Sequence, residues 1–311
     1  MAIQQTSGTS AFNLDLTELV EEAFERAGSQ LRSGYDLKTA RRSINLMTIE
    51  WANQGINLWT IEQMSIPMVP NQGIYALPVD TIDILDAVTR VNNANTSTQS
   101  DINLSRISES TYSTIPNKLT TGRPIQMWVD RQTGNQDATA FTVASADAAT
   151  DTTITLSSTQ GLRSTGFIQL DAETIAYTNI VGNQLVNCWR GQAGTIAATH
   201  PIGTIVNVQY LPSVNVWPTP DAGSTYTLVY YRMRRIQDAG NGVNIADIPF
   251  RLVNAFVAGL AYMLSIKIMG TDPNRVAGLK MMYDESFQLA ADEDREKANI
   301  RFVPRNTFYS R

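Results

Sequence analysis

The sequence predicts an α+β chain: a four-helix body built from both chain ends, a β-rich middle unit, and a small inserted β-domain. Three observations predict it. Apolar residues recur at helical spacing near residues 16–27 and 37–51 and again over 252–290. The long middle breaks into short apolar runs separated by Pro, Gly and Asn. Within it, residues 136–210 are rich in Thr, Ala, Gly and Ser and poor in charge. The helical ends can bury their apolar stripes in one body only by folding back together.

Leu16, Leu19, Val20, Ala23, Phe24 and Ala27 share one face, and Glu18, Glu21, Glu22, Glu25 and Arg26 fill the other. Asp15 with Glu18 reads as a capping pair and Gly28 as the terminator, so a first helix is expected over 15–28. A second is expected to start at Asp36, with Leu37, Ala40, Ile44, Met47 and Trp51 inward and Lys38, Arg41 and Arg42 outward, until residues 53–55 stop it. The two should pack as a hairpin.

From residue 59 to 90, apolar runs at 64–69, 74–77 and 82–89 lie between Pro67, Pro70, Gly73 and Pro78, a breaker density that favours strands. The next strand is expected at 125–131, with companions at 214–217 and 226–232 joined by a turn at 218–223. Short strands are expected within 136–210 at Val143, 154–156, 167–170, 174–178, 185–188 and 205–208, with Gly182 and Asn183 as a hairpin turn. The ends of this segment fall between strands that should be neighbours, which marks it as an insertion.

In the last part of the chain Asp247 is expected to cap a helix with Pro249 in its first turn. Its residues Leu252, Val253, Phe256, Val257, Leu260, Met263, Leu264 and Ile268 leave little polar face, so it should lie at the centre of the helical body. Residues 252–269 are also the nearest approach to a membrane span, but they are short for one and contain Asn254 and Lys267; a buried core helix is expected, and no membrane anchor. Gly270 ends that helix, and Asp272 with Pro273 starts another carrying Val276, Leu279, Tyr283, Phe287 and Ala290 on one side. The expected boundaries are 1–57 and 246–298 for the helical body, 58–135 and 211–245 for the β-rich core, 136–210 for the insertion, and 299–311 for an extended tail.

Composition narrows the chemistry. With 311 residues and 43% hydrophobic content the chain can bury one or two cores. A net charge of −5 gives no basic field for gripping DNA phosphates. A lone Cys188 excludes an intrachain disulfide and a multi-cysteine metal site, and a lone His200 excludes a histidine cluster. Residues 1–10 are polar, without the charged and apolar regions of a signal peptide.

Four constellations could carry function. Residues 190–195 (RGQAGT) approach a phosphate loop but lack its GK[ST] ending, and read as a β-turn. His200 has no nucleophile context in the sequence and reads as a loop hydrogen bond. Asp171 and Glu173 could be a glycosidase-like carboxylate pair, but a solvated strand face is the favoured reading. Trp128, Trp217, Tyr226, Tyr230, Tyr231, Arg232, Arg234 and Arg235 could bind single strands; the favoured reading has the aromatics in the β core and the arginines on carboxylates. No catalytic, cofactor-binding or metal-ligating residue is assigned, and the chain is not read as an enzyme.

Residues 12–25, 58–86 (LWTIEQMSIPMVPNQGIYALPVDTIDILD), 106–118, 122–131 (GRPIQMWVDR) and 216–239 (VWPTPDAGSTYTLVYYRMRRIQDA), in this order, resemble the head-to-tail adaptor (connector) proteins of short-tailed bacteriophages. The resemblance implies a structural virion protein at the head-tail junction, assembled in the host cytoplasm. It implies a homo-oligomeric ring, usually of twelve copies, bound to the portal protein on one side and the tail nozzle on the other. Duplex DNA would pass through without specific binding. It further implies an extended C-terminus reaching into the portal, a role that falls to Arg301, Phe302, Val303, Arg305, Phe308, Tyr309 and Arg311. Residues 174–206 are similar to small β-modules of phage virion proteins, which decorate a surface or contact another tail component such as a tail fibre. The alternative reading is a tail-associated glycan-binding or glycan-cleaving protein acting through the inserted β-domain.

Overall fold

The computed structural model describes residues 15–240 and 244–294, and the fold is mixed α+β. The chain divides into two units, Met1–Thr60 with Ile236–Arg311, and Ile61–Arg235. Five α-helices are described: α1 Leu16–Ala27, α2 Gly34–Asn53, a short α3 Glu109–Ser113, α4 Val253–Lys267 and α5 Pro273–Glu293.

In the first unit, α1 begins and ends where its sequence signals lie. Asp15 Oδ1 accepts from the Glu18 amide at 2.8 Å, Glu18 accepts in return from the Asp15 amide at 3.0 Å, and Gly28 turns left-handed at φ 86°. The start of α2 differs from expectation. Ser33 is its cap, and Asp36 sits three residues inside, accepting from the Ser33 amide at 3.1 Å. Asp247 likewise does not cap α4. Its carboxylate accepts from the Gln237 amide and its carbonyl from Trp59 Nε1, each at 3.0 Å, and a 3-10 turn, Phe250–Leu252, leads into α4 instead.

One apolar core joins Val20 and Phe24 of α1, Met47 and Trp51 of α2, Phe256 and Leu260 of α4, and Leu279 and Tyr283 of α5. At its centre the Trp51 indole N–H donates to Tyr283 Oη at 3.0 Å, and the Trp51 ring meets Phe256 and Phe287 edge-on. Gly259 permits this approach: a Cβ there would stand 2.6 Å from Met47 Sδ and 2.7 Å from the Tyr283 ring. The stretch Phe250–Lys267 is long and apolar enough to cross a membrane by length and composition, and 56% of it is buried within the protein.

The second unit contains two four-stranded sheets around one core. The first runs Ile61–Pro67, Tyr226–Arg234, Thr81–Val91, Ser100–Asn103, all antiparallel. The second runs Ile74–Ala76, Ser213–Trp217, Gln126–Asp130, Ser105–Arg106, the last pair parallel. Tyr75, Ile84, Met127, Val216, Leu228 and Tyr230 fill the space between them. One expected pairing is corrected. The strand at 226 does not flank the strand at 126; it lies in the other sheet. The link between Trp217 and Tyr226 is no hairpin turn, because Thr219–Pro220 bridges in parallel to Thr121–Gly122 and carries the chain across.

Between Asp130 and Ser213, which are direct cross-strand partners, the chain makes a five-stranded sheet and a three-stranded sheet. In the three-stranded sheet Asn179–Val181 and Gln184–Val186 form the expected hairpin, with Gly182 at φ 61°. The segment has its own core of Val143, Ile154, Leu156, Ile168, Ile175 and Val206. It also shares a second cluster with the flanking sheet, where Ile74 and Ala76 pack with Phe167, Ala176 and Leu211.

Candidate functional site

Glu173 and Arg190 centre a dense polar network within residues 136–210, and the position of Glu173 follows from the strand it opens. Glu173–Tyr177 is buried along its whole length, because Ile175 and Tyr177 enter the segment's own core while Ala176 joins the cluster around Ile74. Period-two alternation puts Glu173 on the same face as Ile175 and Tyr177. A carboxylate there needs a cation and hydrogen bonds, since an unpaired buried charge costs several kcal/mol, on the order of 3–5.

Arg190 supplies the cation. Its Nε and Nη2 grip the two Glu173 oxygens at 2.8 and 2.9 Å, a fork-to-fork pair. Nη1 donates to Asp147 Oδ2 at 2.6 Å and to the Ala148 carbonyl at 2.7 Å, and Nη2 also donates to the Ala198 carbonyl at 2.6 Å. The fork's donors are all engaged. Glu173 accepts further from the amides of Gly191 and Ala198, each at 2.9 Å. Gly191 reaches it with φ 60°, and a Cβ there would stand 2.9 Å from the Thr195 carbonyl oxygen. Burial pushes the Glu173 carboxyl up, but the bonds from Arg190, Ala198, His200 and Gly191 outweigh it and hold the group down at about 2.

His200 is buried as well. Nδ1 lies 2.9 Å from Asp171 Oδ2 and Nε2 lies 3.0 Å from Glu173 Oε2, while its backbone exchanges hydrogen bonds with that of Asp147. Strand Trp189–Gln192, the Asp147 loop and the 198–200 segment are thus tied to one carboxylate. The expected solvated face is corrected here: Glu173 is 1% exposed, and Asp171 is no strand neighbour but a turn residue at φ 50°. The turn expected at 190–195 is present in its later half, where the Thr195 amide donates to the Gln192 carbonyl at 3.0 Å, while Arg190 and Gly191 belong to the strand that precedes it. The readable signal for the buried carboxylate was Glu173 on the apolar stripe of Ile175 and Tyr177, which implies a buried partner.

The charged groups of this arrangement are occupied by one another and by neighbouring backbone. Arg190 Nε and Nη2 and the amides of Gly191 and Ala198 occupy the Glu173 carboxylate, with His200 Nε2 beside it, and the Arg190 guanidinium cannot give up its proton. The Cys188 thiol, which donates weakly to the Leu185 carbonyl, is pushed up to about 12 by burial, well away from a reactive thiolate. Among the described residues no group of three His, Cys, Asp or Glu side chains is arranged so that it could hold a metal ion.

The arginines near the β core are also committed. Arg232 pairs with Asp80 and Glu62, Arg234 pairs with Glu62, and Arg235 donates to the Thr133 carbonyl. Tyr226 and Tyr230 are buried, as the core reading expects, and Tyr231 is exposed. Arg301, Phe302, Val303, Arg305, Phe308, Tyr309 and Arg311 lie outside the described residues. No family model matches the chain, and no curated protein matches it.

Proposed function

We propose that the protein is a structural virion component, a ring-forming head-to-tail adaptor that joins a portal to a tail nozzle and leaves a channel for DNA. The observation that carries this reading is the apolar surface of the helical unit. Leu46 and Ile49 stand one turn apart on α2 at 60% and 58% exposure, and Met282 and Leu289 stand two turns apart on α5 at 51% and 66%. Ile266 and Met269 add to it at the end of α4. Apolar groups grouped on helices in this way fit burial against neighbouring subunits.

In this reading the four long helices from both chain ends form the body that packs around the ring, with twelve copies as the resemblance implies. The β-rich unit and its inserted segment present a separate surface, to the nozzle or to a tail fibre. Residues 299–311 dock into the portal, anchored by Phe302 and Phe308. A ring multiplies weak contacts, so each apolar pair need contribute little for closure to be firm. The commitment of Arg190, Arg232 and Arg234 to internal carboxylates supports a structural rather than a phosphate-gripping role.

Electron microscopy of the chain mixed with a short-tailed phage portal tests the proposal. Rings capping the portal are expected, and a chain lacking residues 299–311 should lose them while keeping its helical content. A chain that stays monomeric with every portal tested overturns the reading.

A further inference from the structure

A cleft in the β-rich unit has the chemistry of a sugar-binding site. Two hollows, of about 510 and 320 Å³, meet at Trp128 and Asn215, where the flanking sheet faces the inserted segment. Both sizes fall in the range of small-ligand pockets, about 300–1,000 Å³. Trp128 lines both hollows, Trp189 lines the smaller and Tyr210 the larger. Tyr112 stacks beneath Trp128 at 5.4 Å between ring centroids and 28° between planes, which fixes the indole in place. Among the described residues neither the Trp128 nor the Trp189 indole N–H has a hydrogen-bond partner, although those of Trp51, Trp59 and Trp217 all do.

The polar groups decide the ligand class. Asp130 accepts from Gln132 Nε2 on one oxygen only, which leaves the other to take a hydroxyl, and Asn71, Asn187 and Asn215 bring amides to the walls. The two cations at the rim are engaged. Lys118 donates to the Ser113 and Ile115 carbonyls, and the Arg163 guanidinium lies 4.9 Å over the Tyr210 ring. With Asp130 and Glu109 also on the wall, a polyanion gains no net attraction. Aromatic faces suit the C–H face of a pyranose, and amides with carboxylates suit its hydroxyls.

We propose that this cleft binds a neutral oligosaccharide, with pyranose rings against Trp128 and Trp189 and hydroxyls on Asp130 and Asn215. Such a site would let a tail component hold the surface glycan of a host cell. It goes beyond the adaptor role and does not depend on ring formation.

Tryptophan fluorescence of the full chain, titrated with maltohexaose, cellohexaose, chitohexaose and a rhamnose–galactose oligosaccharide, tests it. Saturable binding of at least one is expected, weakened about tenfold by Trp189→Ala and by Asp130→Asn, as fits losing one aromatic or charged contact. Trp217→Phe, outside the cleft, should leave it unchanged. Failure of all four probes to bind, or binding indifferent to both cleft variants, overturns the proposal. Preference for a sulfated or sialylated chain over these probes does so as well. Ring assembly with portal, measured on the same variants, should persist, so a failure of the adaptor reading would show separately.

Discussion

Arg190 grips Glu173 through two parallel hydrogen bonds of 2.8 and 2.9 Å, and the Glu173 side chain is wholly buried. These residues lie 17 positions apart in the chain, and their bond ties the edge strand Trp189–Gln192 to the strand beside it. Arg190→Ala should therefore cost about 3–5 kcal/mol, since it strands a buried carboxylate. Arg190→Lys should recover only part, because an ammonium cannot reproduce the fork. Urea unfolding of both variants measures this. Arg90→Ala, which removes a solvent-exposed pair with Asp101, should shift the unfolding midpoint far less than either Arg190 variant.

Acid should loosen the inserted segment first. The Glu173 carboxyl is held at about 2 in the folded chain against an ordinary 4.5, so its contribution is complete above about pH 4.5 and is lost as pH falls towards 2. The shift corresponds to roughly 3 kcal/mol. Denaturation midpoints of the wild type should fall across that window. In Glu173→Gln, less stable at neutral pH, the same fall should be shallower.

Two glycines in neighbouring helices should respond oppositely to alanine. Gly259→Ala forces a methyl against Met47 and Tyr283 and should destabilise by about 1–3 kcal/mol. Gly278 on α5 has nothing within 4 Å of an added Cβ, so Gly278→Ala should stabilise by about 0.4–1 kcal/mol. Thermal melts of the two variants check both signs.

Leu46→Glu combined with Ile49→Glu should leave the monomer's stability within about 0.5 kcal/mol of wild type, because both side chains are largely exposed. The same pair should abolish assembly with portal if this face of α2 is covered in a ring. Light scattering on the eluting complex separates the outcomes, and rings of normal mass would remove α2 from the interface.

Replacing residues 136–210 by a short Gly/Ser linker should leave the flanking sheets folded, since Asp130 and Ser213 already pair. The deletion uncovers Ile74 and Ala76, so the shortened chain should bind more of a hydrophobic dye and melt at lower temperature. Loss of cooperative unfolding would mean that the segment belongs to the fold of the flanking sheets.

Local signals were legible in the sequence because their causes are local. The Asp15 and Glu18 cap, the Gly28 stop and the Gly182 hairpin each depend on residues within one turn of the chain, and each appears where it was expected. The apolar circumference of α4 foretold its buried place among the helices for the same reason. Boundaries slipped where two local candidates competed, as at Ser33 and Asp36.

What the tertiary structure alone decided were relations between distant residues. Nothing near Tyr226 announces that its strand joins Ile61–Pro67 and Thr81–Val91 rather than Gln126–Asp130, because sheet partners are chosen by shared burial across the whole unit. Asp171 and Glu173 look alike in sequence, yet one is a turn residue and the other a buried anchor, since only the fold brings Arg190, Gly191, Ala198 and His200 around the second. Hydrophobic period and capping are properties of neighbouring residues; charge burial and sheet order depend on where the rest of the chain comes to lie.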